Sequence, residues 1–290
     1  MRTPKLVVIG LALAGLAGLA GCGTAVAAQN DPAWVEPVAA TSSAAPRPSV
    51  SHPSHPAKAP SASPSAEPDA ADVPASSKPK PTQKTQHHGG PANSLMKTGR
   101  SGVALTFDDG PDPVQTPKML DLLKRMHVKA TFCLVGQNVA AHPDLVRRIA
   151  AEGHTLCNHT WRHSLTLGRQ SPSVIRADLQ RTNDAIRAAV PGAEIRYMRA
   201  PGGNFTPTFV AAADDLGMTS IYWQVDPRDW EHPSGESGAA HEAKVIRSVK
   251  QHVSKGAIVL SHDYGQPGTI SAYETLIPWL KQRYTLIALP

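Results

Sequence analysis

The sequence predicts an α/β protein, a distorted or incomplete (β/α) barrel with about seven parallel strands. Strand-like and helix-like segments alternate strictly from residue 97 to 290, as parallel strands joined by helical crossovers do. Seven such strands fall one short of the usual barrel of eight. The polar residues decide against an open doubly wound sheet. They sit just after the C-terminal ends of most strands, where a barrel builds its site, whereas an open sheet gathers them at one switch point.

Each element has a local reason. Gly102–Phe107, GVALTF, is a short apolar run that reads as a buried strand. In Thr116–Met126 apolar residues recur at helical spacing, and Pro117 suits a first turn. Lys129–Val135 reads as a strand, His142–Glu152 as a helix closed by Gly153, and His154–Asn158 as a third strand. Ser173–Ala189 is a long helix, capped by Ser171 or Ser173 and ended before Pro191-Gly192. Ile195–Met198 is a short strand, and Pro207–Leu216 a helix closing at Gly217. Thr219–Val225, TSIYWQV, is the fifth strand, followed by a helix over Glu242–Val253. Strand Ala257–Ser261, helix Tyr273–Arg283 and strand Thr285–Leu289 complete the pattern.

The chain ahead of this domain differs in character. Arg2 and Lys5 precede an uncharged apolar run, Val7–Ala20, which is short for a membrane span and reads as an export signal. Its end, Leu19-Ala20-Gly21-Cys22, resembles a bacterial lipobox, so residues 1–22 are expected to be a lipoprotein signal peptide with Cys22 as the lipidated residue. The acyl chains would anchor the protein to the outer face of the cell membrane. Residues 23–96 are rich in Ala, Pro and Ser and cannot bury enough surface to offset ordering entropy, which makes them a disordered spacer. A net charge of +6 would suit nucleic acid, but the basic residues are dispersed, and no nucleic-acid partner is expected. Cys133 and Cys157 lie in strand-like runs rather than a Cys-x-x-Cys turn, which argues against metal ligation. In an exported chain a disulfide and two buried thiols both remain open.

The chemistry gathers at strand ends. The run Phe107-Asp108-Asp109-Gly110-Pro111 sets two carboxylates side by side, and strand alternation carried past Phe107 sends them in different directions. His159 and His163 stand at i and i+4, a spacing that on a helical turn puts both on one face to share a metal. Two histidines and one carboxylate leave coordination positions open, the catalytic pattern, with Asp109 the natural third ligand. Arg199 precedes Pro201-Gly202-Gly203, a turn suited to close backbone approach to a ligand. Asp226, Asp229 and Trp230 follow the fifth strand, and Leu260-Ser261-His262 the sixth. A histidine there, beside a carboxylate from a neighbouring loop, suits a general acid. Tyr222, Trp223 and Tyr264 suit either stacking on sugar rings or packing.

Thr106-Phe107-Asp108-Asp109-Gly110, His159-Thr160-x-x-His163, Arg199-x-Pro201-Gly202, Asp226-x-x-Asp229-Trp230 and Leu260-x-His262 follow the order of the polysaccharide deacetylase family. The sequence resembles that family, also called carbohydrate esterase family 4 or the NodB-homology domain, over residues 97–290. The resemblance implies metal-dependent removal of N- or O-acetyl groups, with Asp109, His159 and His163 holding one divalent ion, usually zinc. It implies Asp108 as the base toward the attacking water, held by Arg199. His262 becomes the acid for the leaving amine or alcohol, tuned by Asp229. Trp230 and Leu260 would line the acetyl-methyl pocket, and the Gly202 backbone N–H would stabilise the oxyanion. Departures are small: Cys133 and Gly202 stand where relatives often carry aromatic residues. The expectation is a surface-tethered, monomeric deacetylase of N-acetylglucosamine polymers, peptidoglycan ahead of chitin-type oligomers, since anchor and spacer suit an insoluble substrate near the cell. An acetylxylan esterase is the alternative within the enzyme class. A non-catalytic wall-binding lipoprotein is the other, and the complete set of reactive groups argues against it.

Overall fold

The structure, a computed structural model, describes residues 89–290; the signal segment, Cys22 and most of the spacer lie outside them. The strands are β1 (Val103–Asp108), β2 (Thr131–Leu134), β3 (Thr155–Asn158), β4 (Tyr197–Met198), β5 (Thr219–Ser220), β6 (Ile258–His262) and β7 (Leu286–Ile287). The helices are α1 (Gln115–Arg125), α2 (Gly136–Ala141), α3 (Pro143–Ala151), α4 (Pro172–Ala189), α5 (Pro207–Asp215), α6 (Gly238–His252) and α7 (Pro267–Lys281). The order β5-β4-β3-β2-β1-β6 is parallel throughout, and β7 pairs with the start of β1. The sheet curls until Val225, beyond β5, bridges Val259 of β6, which closes a distorted barrel.

Alternation along β1 sorts its side chains. Val103, Leu105 and Phe107 join the main core, where Phe107 packs at 5.3 Å from both Phe132 and Tyr273. Ala104 turns inward with Cys133, Cys157, Ile221 and Ile258. Thr106 and Asp108 share that inward parity, so β1 carries Asp108 at the C-terminal mouth of the interior. The sulfurs of Cys133 and Cys157, which are register partners on β2 and β3, are joined in a disulfide.

Several expected elements differ, each because of a distant partner. The fold reaches back before residue 97: buried Leu95 donates to Ser220 O and accepts from Tyr222 N, both at 2.8 Å. The fifth strand is regular only at Thr219–Ser220. Beyond it the chain leaves β4 for β6, and Gln224 N and Val225 N both donate to Ile258 O. Helix α2 has no apolar period to announce it; it forms where Gly136 N and Gln137 N donate to the carbonyls of Thr160 and Trp161. Helix α6 starts at Gly238 because Ser237 Oγ accepts from Ala240 N, and α7 starts at Pro267, a residue suited to a first turn. No helix among the described residues is long and apolar enough to cross a membrane.

Candidate active site

Asp108 and His262 are register partners at the ends of β1 and β6. Arg199, one residue beyond β4, is fully buried, so it is no surface residue. Its Nη1 donates to Asp108 Oδ1 at 2.6 Å and to Thr106 Oγ1 at 2.8 Å, and its Nη2 donates to Tyr222 O at 3.1 Å. One carboxylate oxygen of Asp108 is thereby held, and the other lies 3.7 Å from His159 Nε2.

The two adjacent carboxylates do not diverge as strand alternation predicts. Asp109 leaves the strand in the left-handed region, with φ of 74°. That turn brings its Oδ1 to 3.2 Å from both His159 Nε2 and His163 Nε2. The histidine pair also does not sit on a helical turn. Thr160 and His163 have φ of 67° and 54°, and a loop rather than a helix folds the imidazoles together. Asn158 shapes that loop: its Oδ1 accepts from Thr160 N, and its Nδ2 donates to Leu179 O and Asn183 Oδ1, all at 2.8 Å.

The donor set of Asp109, His159 and His163 fits a metal ion. One donor atom from each lies within 4.8 Å of the others. His159 Nδ1 is bonded to the Arg199 carbonyl at 2.8 Å, so it carries the proton and leaves the Nε2 lone pair toward the site. Asp109 Oδ1 is buried with no hydrogen-bond partner, the mark of an oxygen meant for a cation. Burial raises the Asp109 carboxyl, but the neighbouring His163 and His159 imidazoles outweigh it and hold the group below the usual range. A second trio, His232, Glu236 and His241, does not fit as well. Its donor atoms also lie within 4.8 Å of one another, but His232 Nε2 is bonded to Gln266 Oε1 at 2.7 Å, and Lys244 Nζ stands 3.4 Å from the Glu236 carboxylate.

His262 faces the same mouth. Its Nδ1 and backbone N bond the two oxygens of buried Asp229 at 2.8 Å each, and Thr269 Oγ1 donates to Asp229 Oδ2 at 2.7 Å. Burial pulls the imidazolium down, yet the Asp229 charge and bond, with Asp109 and Asp108 behind, push it up to about 10. A histidine with Nδ1 committed to a carboxylate, beside the Arg199-held Asp108 and a metal-type trio, is an arrangement for hydrolysis with proton delivery.

Residues 96–221 match the family profile described as Polysaccharide deacetylase. A chitooligosaccharide deacetylase of Bradyrhizobium sp. is 39% identical over 199 residues, which span 64% of this chain and 87% of that protein. The chain belongs to the polysaccharide deacetylase family. A peptidoglycan-N-acetylglucosamine deacetylase of Bacillus cereus is 34% identical over 185 residues, 62% of this chain and 82% of its own. Among solved structures, the Bc1960 peptidoglycan N-acetylglucosamine deacetylase superposes with a TM-score of 0.59 at 33% identity, covering 69% of this chain and 89% of that one. A CE4 family pseudoenzyme from Bacillus anthracis superposes with a TM-score of 0.60 at 30% identity, covering 68% of this chain and 67% of that one. The fold is thus shared by a deacetylase and by a protein described as a pseudoenzyme.

The remaining expected residues of this polysaccharide deacetylase have distinct surroundings. Gly202 is exposed with φ of 59°, a left-handed turn that favours glycine. Leu260 is buried, whereas Trp230 is 43% exposed with the Arg228 guanidinium 4.7 Å from its ring. Tyr222 and Trp223 stack on each other at 3.9 Å, and Trp223 packs against the barrel interior, which is the packing role. Sequence reasoning gave no role to Thr106, Asn158, Thr269 or Asp263. The first lies in a quoted motif, Asn158 precedes His159, and Asp263 follows His262; only Thr269 has no local signal. Burial, against the Thr116 bond and with the charges of Asp109, Asp108 and Asp112, pushes Asp263 up to about 7.

Proposed function

We propose that this deacetylase hydrolyses acetamido groups of an N-acetylglucosamine polymer, peptidoglycan first and chitin-type oligomers second, with a divalent metal ion, zinc the first choice, as cofactor. The observation that carries the reading is the pairing of Asp108 and His262 across adjacent strands, each held by an opposite charge, around the Asp109–His159–His163 trio. Bound by that trio, a divalent cation supplies Lewis-acid polarisation of the acetyl carbonyl and lowers the pKa of water. Asp108, with Oδ1 held by Arg199, accepts the proton of the attacking water on its other oxygen, Oδ2. The Gly202 backbone N–H donates to the developing oxyanion, a contribution of about 3 kcal/mol in comparable sites. His262, with Nδ1 committed to Asp229, delivers its Nε2 proton to the leaving nitrogen, since expulsion of an amine anion is prohibitive. Trp230 and Leu260 supply apolar surface for the acetyl methyl.

Peptidoglycan is ranked first because the export signal, Cys22 and spacer of residues 1–96 suit a lipid-anchored enzyme facing the cell wall. The names of the Bradyrhizobium and Bacillus cereus relatives support both substrate classes. The test is acetate release from peptidoglycan, chitooligosaccharide and acetylated xylan, with and without chelator. Release from the first two that stops on chelation and in Asp108→Asn is expected. Release from acetylated xylan alone supports the esterase, and no release from any of them with metal present refutes the reading.

A further inference from the structure

Asp263 is a buried carboxyl that the proposed reaction does not use, set close to three others. Its Oδ2 accepts from Thr116 Oγ1 at 2.5 Å, and that hydroxyl oxygen accepts from Asp112 N at 2.8 Å. Asp112 Oδ2 in turn accepts from Gly265 N at 3.1 Å, two residues beyond Asp263. The other oxygen of Asp112 caps the start of α1, accepting from Val114 N at 2.6 Å and Gln115 N at 2.8 Å. A Cβ on Gly110 would lie 2.7 and 2.8 Å from the two Asp263 oxygens, so the carboxyl packs flat against the residue that follows Asp109. These contacts tie the segment that carries Asp108 and Asp109 to the segment that carries His262, at two points.

We infer that Asp263, Thr116 and Asp112 form a positioning bridge that fixes the Asp108–Asp109 turn relative to His262 and to the metal trio. The inference rests on the proposed function for what the turn does. Burial of a carboxyl beside other carboxylates costs free energy, and a chain that retains one gains something from where it stands. Here the gain is a rigid separation between the proton acceptor on β1 and the proton donor on β6. The bridge runs through hydroxyl and carboxyl oxygens, so its effect depends on the hydrogen bond and not on side-chain volume alone.

The experiment uses the full chain and two readouts: zinc titration by calorimetry, and steady-state acetate release from chitooligosaccharide. Thr116→Val and Asp263→Ala are each expected to weaken zinc binding and lower kcat by about 10–100-fold with little change in KM, the usual range for groups that orient a site from behind. Thr116→Ser, which keeps the hydroxyl, is expected to restore both, and Thr116→Val/Asp263→Ala to lose no more than the worse single variant. Equal losses in Thr116→Ser and Thr116→Val, or a Thr116→Val that matches the parent, would overturn the bridge. If Asp263→Ala does not fold, the two Thr116 variants decide alone. If the parent releases no acetate while the zinc pattern holds, the bridge stands and the proposed function falls.

Discussion

Replacement of Arg199 by methionine isolates the buried Arg199–Asp108 pair. Arg199 is 0% exposed and Asp108 2%, and three hydrogen bonds from the guanidinium hold Asp108, Thr106 and the Tyr222 carbonyl. Methionine fills much of the volume but leaves the Asp108 charge buried without its partner, which costs about 3–5 kcal/mol when one member of a buried pair is removed. At about 2–4 °C per kcal/mol for a domain of this size, the melting temperature should fall by roughly 6–20 °C. Urea unfolding at neutral pH with chelator present measures the loss without contribution from bound metal. The pair itself is read from the cycle of Arg199→Met, Asp108→Asn and their combination. Both single variants strand a charge and the double variant strands none, so its loss should fall short of the sum by about 2–3 kcal/mol. An Arg199→Met variant within about 1 kcal/mol of the parent, or strictly additive losses, would show that Arg199 does not anchor Asp108.

Three further outcomes follow from the same geometry. Free zinc at about 1,000-fold above its dissociation constant should stabilise the folded chain by about 4 kcal/mol, and Asp109→Ala or His163→Ala should abolish the shift in thermal unfolding. Asp229→Asn removes the charge that offsets burial and holds His262 up to about 10, so the imidazolium loses its proton earlier. The alkaline limb of kcat/KM should then move to lower pH by roughly one to two units. Buried His154 accepts from Ala130 N through Nδ1 at 3.1 Å, and burial, with Lys129 nearby, lowers it from 6.5 to about 4. As pH falls through that window the unfolded chain binds the proton first, so stability should drop by roughly 3 kcal/mol, measured by urea unfolding and absent in His154→Leu.

What was legible in the sequence follows how far each signal reaches along the chain. Alternation of strand and helix is written within about ten to twenty residues at a time, so the parallel barrel could be read locally. Helix α2 could not, because Gly136 and Gln137 find their acceptors on the loop after β3. The short fifth strand is the same case, since its continuation changes partners from β4 to β6. At the site, residue types and order pointed to Asp108, Asp109, His159, His163, Arg199, Asp229 and His262, and the structure brings all seven to one mouth.

By itself, then, the sequence determined which groups stand at which strand ends and that the strands run parallel, because periodicity and strand-end position are properties of local chain. Only the tertiary structure decided how those groups face one another. The left-handed turn at Asp109 keeps both carboxylates toward His159, where alternation alone would have parted them. A loop held by Asn158, not a helix, converges the two imidazoles. Register between β2 and β3 settled that Cys133 and Cys157 pair. Each of these is set by contacts between residues far apart in the chain, whose distances no local pattern records.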